Sequence, residues 1–114
     1  MKKTYIEKRP WGHFERFTEN EQTTVKHIHV KPHSRLSLQY HNHREEYWRV
    51  ITGQGEVIIG ENTHPARPGD SFFIPKQTVH RIQTTDNDLL ILEIAYGEFD
   101  EEDIVRIQDV YGRK

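Results

Sequence analysis

The stretch Leu36-Ser37-Leu38-Gln39-Tyr40-His41-Asn42-His43-Arg44-Glu45-Glu46-Tyr47-Trp48 alternates apolar and polar side chains and then runs into a cluster of ionisable ones. Successive side chains of a strand point to opposite faces, so Ser37, Gln39, His41 and His43 share one face and Leu36, Leu38 and Tyr40 the other. Two imidazoles two residues apart on one face suit a single metal ion. Glu46, just past a corner at Arg44-Glu45, can add a carboxylate. Three such ligands leave coordination positions open for water or substrate, as a catalytic site requires and a closed structural site does not. An isolated His-x-His often binds nothing, so the weight of this one depends on the rest of the chain.

Outward from that stretch the sequence keeps an all-β rhythm. Thr24 to Val30, Leu36 to His41, Tyr47 to Thr52, Glu56 to Ile59, Ser71 to Ile74, Val79 to Thr84 and Leu89 to Tyr96 read as strands. Between them lie Lys31-Pro32-His33-Ser34, Gly53-Gln54-Gly55, Gly60-Glu61-Asn62, Arg67-Pro68-Gly69-Asp70 and Asp86-Asn87-Asp88. Gly, Asn and Asp tolerate positive φ and Pro presets a turn, so each of these clusters breaks a strand for a physical reason. No segment carries a sustained 3.6-residue stripe, and the acidic stretch Phe99 to Asp103 is expected to start one short helix. Strands this short and this numerous must pair into a sandwich or close into a barrel. With no linker, low-complexity tract or repeat, residues 1–114 are expected to form one domain.

Composition narrows the function. Apolar residues, Gly not counted, make up 33% of the chain, against roughly 45–50% with Gly counted in ordinary domains, so a small core is expected to gain support from a metal, a homodimer interface or both. A formal charge of -2 argues against nucleic acid as a partner. There are no cysteines, which excludes disulfides and thiolate sites. MKKTYIEKRPWG has no apolar core behind its lysines, and Leu89-Leu90-Ile91-Leu92 is cut by Glu93 far short of a membrane span. A cytoplasmic protein is the resulting expectation. Eight histidines are present, and His27, His29, His33, His41 and His43 crowd into one window.

The second half of the pattern lies downstream: Gly69, five residues, Pro75, then Lys76-Gln77, two more, and His80. Together with Glu46, six residues and Gly53, this resembles the two sequence motifs of the cupin superfamily. The resemblance implies a double-stranded β-helix, a jelly-roll-like barrel, with a metal held by His41, His43, Glu46 and His80. His33 stands where a Gly is usual, Gln77 replaces the Gly of Pro-x-Gly, Thr84 replaces an Asn, and the spacer before Glu46 is one residue short. These departures touch turns rather than ligands.

Three further stretches narrow the resemblance. They are Arg9-Pro10-Trp11-Gly12 with Phe14-Glu15, the central run through Trp48, and Glu102-Asp103-Ile104-Val105-Arg106 followed by Asp109-Val110-Tyr111-Gly112-Arg113. The set resembles the type II phosphomannose isomerase domain, which also forms the C-terminal part of bifunctional mannose-1-phosphate guanylyltransferases. The Gly-rich nucleotide-binding loop of their other half has no counterpart in this sequence, so guanylyl transfer is not expected. The family resemblance implies interconversion of mannose 6-phosphate and fructose 6-phosphate through an enediol, with one divalent metal ion as Lewis acid. Zinc comes first, with manganese, iron, nickel and cobalt as alternatives, since such ligands serve several ions.

A general base is needed as well, and Glu45 and His33 are the leading candidates, beside Glu46 if it leaves the metal. The phosphate calls for guanidinium groups. Arg44, Arg106 and Arg35 are the chosen candidates, with Arg81, Arg113 and Lys76 also available. Gln39 shares a face with His41, and in the related type I isomerases a similar Gln-x-His pair binds zinc, so Gln39 is assigned to the metal or the sugar. Trp11 and Trp48 are read as core more readily than as sugar platforms. His27 and His29 line the cavity mouth or face solvent. Two other functions fit the same residues: a cupin that binds a sugar or sugar nucleotide without turnover, and an oxygen-using iron or manganese enzyme.

Overall fold

The computed structural model describes residues 4–108, all of whose regular structure is β. Eleven strands follow one another: β1 (Tyr5–Arg9), β2 (Gly12–Arg16), β3 (Thr23–Val30), β4 (Leu38–Tyr40), β5 (Glu45–Gly53), β6 (Gly55–Ile59), β7 (Asn62–Ala66), β8 (Ser71–Ile74), β9 (His80–Gln83), β10 (Leu89–Tyr96) and β11 (Val105–Gln108). They assort into a four-stranded sheet, β3-β10-β5-β8, a five-stranded sheet, β11-β4-β9-β6-β7, and a separate β1-β2 hairpin. Among the described residues no ring of hydrogen bonds joins the two large sheets; apolar side chains contributed by both hold them together.

That shared core comprises Val30, Trp48, Val50, Val57, Ala66, Ile74, Ile82, Leu89 and Ile91. Strand β10 lies between β3 and β5 in its sheet, which explains why its sequence is apolar almost throughout. Its inward side chains are Leu89, Ile91, Glu93 and Ala95, all buried. On β5 the inward row is Glu46, Trp48 and Val50, again all buried. One end of the interior is thus apolar, while Glu46 and Glu93 make the other end ionisable.

The two positions where a glycine was expected both take a left-handed backbone. His33 has φ of 54° and Gln77 φ of 59°. Hydrogen bonds hold both: His33 N donates to Thr85 O at 2.7 Å and Gln77 N to His41 O at 2.7 Å. Thr84 serves where an Asn was expected, its Oγ1 donating to Lys31 O at 2.5 Å and accepting from Ser34 N at 3.1 Å.

The short helix expected over Phe99 to Asp103 does not form. Asp100 Oδ1 accepts from Glu102 N at 2.9 Å, and Asp103 N and Ile104 N close turns onto Asp100 O and Glu102 O. An aspartate side chain that captures nearby backbone amides competes with a helix, and here the turn wins. No helix of the described residues is long and apolar enough to cross a membrane. The stretch Asp109 to Arg113 lies outside the described residues.

Candidate metal centre

Four strands aim ionisable or amide side chains at one cavity of about 160 Å³. Gln39 and His41 come from β4 and the residue after it, His80 from β9, Glu46 from β5 and Glu93 from β10. Gln39 and His80 are direct register partners, so the two His-bearing segments are neighbours in one sheet. Glu46 and Glu93 reach the same cavity from the facing sheet. Lys26, Arg44, Arg81 and Arg106 also line it, as does the Trp48 ring.

His41, Glu46 and His80 are buried, and one ligand atom from each lies within 4.8 Å of the others. Glu46 faces one imidazole with each oxygen, Oε2 standing 3.5 Å from His41 Nε2 and Oε1 3.9 Å from His80 Nε2. Ligand atoms around a tetrahedral ion at ~2.1 Å stand roughly 3.4 Å apart, so modest closure would seat one. The outer nitrogens are already fixed: His41 Nδ1 donates to Asp103 O at 2.6 Å and His80 Nδ1 to Thr78 O at 2.8 Å. Both imidazoles therefore present an Nε2 lone pair inward, as metal-binding histidines do.

Arg44 is the opposing observation. Its Nε donates to Glu46 Oε2 at 2.9 Å, its Nη2 lies 3.3 Å from His41 Nε2, and its guanidinium covers the Phe99 ring at 4.5 Å. The same cation neutralises Glu46 and occupies part of the space a metal would use. The donor set, two neutral imidazoles and a carboxylate, nonetheless fits a divalent ion.

Burial pushes the His80 imidazole down from its ordinary 6.5 to about 4, and burial likewise lowers His41. Folding therefore favours neutral His80. Its contribution is complete above the unfolded value near 6.5 and is lost as pH falls toward 4. Metal-free protein should lose about 3 kcal/mol of unfolding free energy from His80 between pH 7.5 and 4. Urea unfolding at several pH values checks this, and a flat profile would contradict it.

The structure places four of the expected site residues away from the His–Glu–His group and its cavity. His43 is exposed and stands outside the His–Glu–His group. Strand β4 ends at Tyr40, and the amides of Asn42 and His43 turn onto the Asp103 carboxylate at 2.9 and 3.0 Å. The two-residue parity therefore stops at His41, and Arg44 turns inward instead. Glu45 does not line the cavity, because it alternates with inward Glu46 on β5. His33 is exposed on a turn, 3.6 Å from Asp86. Arg35 bridges to Gln83 and lines a separate groove with His33, Ser34 and Thr84.

Gln39, Arg44 and Arg106 do reach the cavity, and Arg106 sits opposite Gln39 across the β4–β11 pair. Arg81 is buried with Nε donating to Leu36 O at 2.8 Å, whereas Lys76 is exposed. Trp48 is core, its Nε1 donating to Glu46 Oε1 at 3.2 Å; Trp11 is 72% exposed. His27 and His29 face solvent, His29 beside Asp88 at 2.9 Å.

Glu93 and Lys26 belong to the cavity and were not anticipated. The signal for Glu93 was available: an ionisable residue interrupting a strand apolar on both faces is costly unless it has work there. Burial, and after it the negative charge of Glu46, push the Glu93 carboxyl up to about 7. Lys26 Nζ lies 3.5 Å from it.

Residues 2–109 match the family model described as mannose-6-phosphate isomerase C-terminal. The chain belongs to that family. Among curated relatives, the alginate biosynthesis protein AlgA of Pseudomonas putida is 42% identical over 107 residues, 92% of this chain and 22% of the relative. The mannose-1-phosphate guanylyltransferase ManC of Salmonella typhimurium is 36% identical, again over 92% of this chain and 22% of its own length. This chain thus spans about a fifth of the length of the relatives it matches. Among solved structures, a cupin protein from Bacteroides fragilis gives a TM-score of 0.61 at 18% identity, covering 71% of this chain and 74% of the other. The capsular polysaccharide assembling protein CapF of Staphylococcus aureus gives 0.70 at 15%, covering 93% of this chain and 34% of the other. At these identities the likeness concerns the fold, which is that of a cupin.

Proposed function

We propose that this chain is a metal-dependent sugar-phosphate isomerase that interconverts mannose 6-phosphate and fructose 6-phosphate. The observation that carries the reading is the inward-facing group of His41, Glu46 and His80 in a member of this family. A divalent ion held there, zinc by first choice, would supply Lewis-acid stabilisation of the charge that develops on the sugar oxygens. Arg106 is assigned to the phosphate, since guanidinium groups pair bidentately with it, while Arg44 is taken up by Glu46 and His41. Moving a proton between C2 and C1 falls to a carboxylate of the cavity wall, Glu46, Glu93 or Glu101. Glu45 and His33 lie away from that wall.

The test is conversion of mannose 6-phosphate by metal-loaded protein, followed as fructose 6-phosphate formed. Turnover supports the reading, and no turnover of any hexose phosphate contradicts it. A homodimer is proposed with it, on the strength of the small core. Sedimentation equilibrium at the mass of two chains supports the dimer, and the mass of one chain contradicts it.

A further inference from the structure

We infer that Ser37 and Glu93 form a hydroxyl-reading pair, two buried oxygens on opposite walls of the cavity that bind the hydroxyl-bearing part of a polyhydroxylated ligand. The inference rests on the sugar-phosphate reading above; it names Ser37, to which that reading gave no role, and gives Glu93, a candidate for proton transfer there, a binding role.

Ser37 is 1% exposed and Glu93 4% exposed, and both line the cavity. Among the described residues, neither Ser37 Oγ nor Glu93 Oε1 has a hydrogen-bond partner. Of the neighbouring cations and donors, Lys26 forms an ion pair with Glu93 without making a hydrogen bond to Oε1, and two others are engaged with Glu46. Arg44 and Trp48 donate to Glu46, and Lys26 Nζ stays 3.5 Å from Glu93 Oε1. The same cavity is apolar at Ile28, Leu36 and Ile82, which offer no side-chain donor. A polar oxygen buried without a partner is costly, and in native proteins it is rare enough to call for a cause. Here Ser37 Oγ, with no hydrogen-bond partner, and Glu93 Oε1, held only by the Lys26 ion pair, share one cavity beside a group fitted for a metal.

Their chemistry names the complement. Ser37 precedes β4 in the five-stranded sheet and continues the inward row of Gln39 and His41. Its hydroxyl both donates and accepts. Glu93 stands on β10 in the other sheet, and its carboxyl oxygens accept hydrogen bonds. A ligand satisfying both must donate from one side and offer a donor or acceptor on the other, as hydroxyls on adjacent carbons do. A phosphate brings only acceptors and negative charge, a poor match for a carboxyl group, and is left to Arg106. The hydroxyl-bearing carbons of a sugar phosphate are the part that fits between these walls.

The test is calorimetric binding of mannose 6-phosphate and of hexyl phosphate, which keeps the phosphate and chain length without hydroxyls. Metal-loaded wild type, Ser37→Ala and Glu93→Gln are compared, with cooperative melting as the check on folding. Because the two substitutions lie on different segments, Ser37 before β4 and Glu93 in β10, either one alone is informative. Each should weaken mannose 6-phosphate binding roughly five- to tenfold and leave hexyl phosphate within about twofold of wild type. If wild type binds mannose 6-phosphate and both variants bind it equally well, ordered water satisfies these oxygens and this inference alone falls. If wild type shows no saturable binding of mannose 6-phosphate, the sugar-phosphate reading falls and takes this inference with it.

Discussion

Replacing His80 with Ala should empty the site of divalent metal and lower hexose-phosphate isomerisation by roughly 10³-fold, the equivalent of several kcal/mol of lost charge stabilisation. His80 contributes one of the two inward Nε2 atoms. Its ring sits between the His41 ring at 5.0 Å and the Trp48 ring at 5.4 Å. Its Nδ1 is held by Thr78 O, so the side chain is positioned before any ion arrives. With His80 gone, His41 and Glu46 remain, and Arg44 already bridges those two. The residual pair should therefore favour the guanidinium over an ion. Elemental analysis of the purified variant reads the metal directly, and a variant with one ion per chain would contradict this assignment. His43→Ala, by contrast, should leave metal content unchanged, because His43 lies outside the group.

Gly53→Ala should destabilise the domain by about 3 kcal/mol or more, through backbone conformation and steric overlap acting together. Gly53 ends β5 at φ of 88°, where a side chain is strained. A Cβ there would also lie 2.0 Å from Asp88 O and 2.9 Å from Leu89 Cα. Asp88 directly precedes β10, whose Leu89 pairs with Gly53, and Asp88 O also accepts from Gln54 N at 3.0 Å. Relieving the clash means moving the start of the strand that carries Leu89, Ile91 and Glu93 inward. Denaturant unfolding measures the loss, and a change below about 1 kcal/mol would show that β10 can shift freely.

The strands legible in the sequence were those whose patterning reports burial. Ser71–Ile74 and Leu89–Tyr96 have the bounds their composition suggested, and β3, β5, β6 and β9 differ by a residue or two at their ends. The strands not anticipated lack that signal. Strand β7, Asn62–Ala66, contains Pro65 and lies at a sheet edge, where a missing amide donor is tolerated. Tyr5–Arg9 and Gly12–Arg16 form a charge-rich hairpin apart from the two large sheets, so neither shows a clean buried face. Val105–Gln108 is short and follows the acidic turn over Phe99 to Asp103, whose composition suits a helix start.

The candidate site was legible in part, for a similar reason. Alternation placed Ser37, Gln39 and His41 on one face, and all three line the cavity. The same alternation failed one step later at His43, because Asp103, sixty residues away in sequence, captures the amides of the bend. A contact at that separation leaves no local trace. Glu93 was visible as the residue that interrupts an apolar run, yet its place beside Glu46 depends on how β10 registers against β5.

Metal content and isomerisation rate, measured on the same samples before and after chelation, test the central claim most directly. One divalent ion per chain should be found, with fructose 6-phosphate forming from mannose 6-phosphate in proportion to the ion present. Undiminished turnover by metal-free protein, or no turnover at full loading, would contradict it.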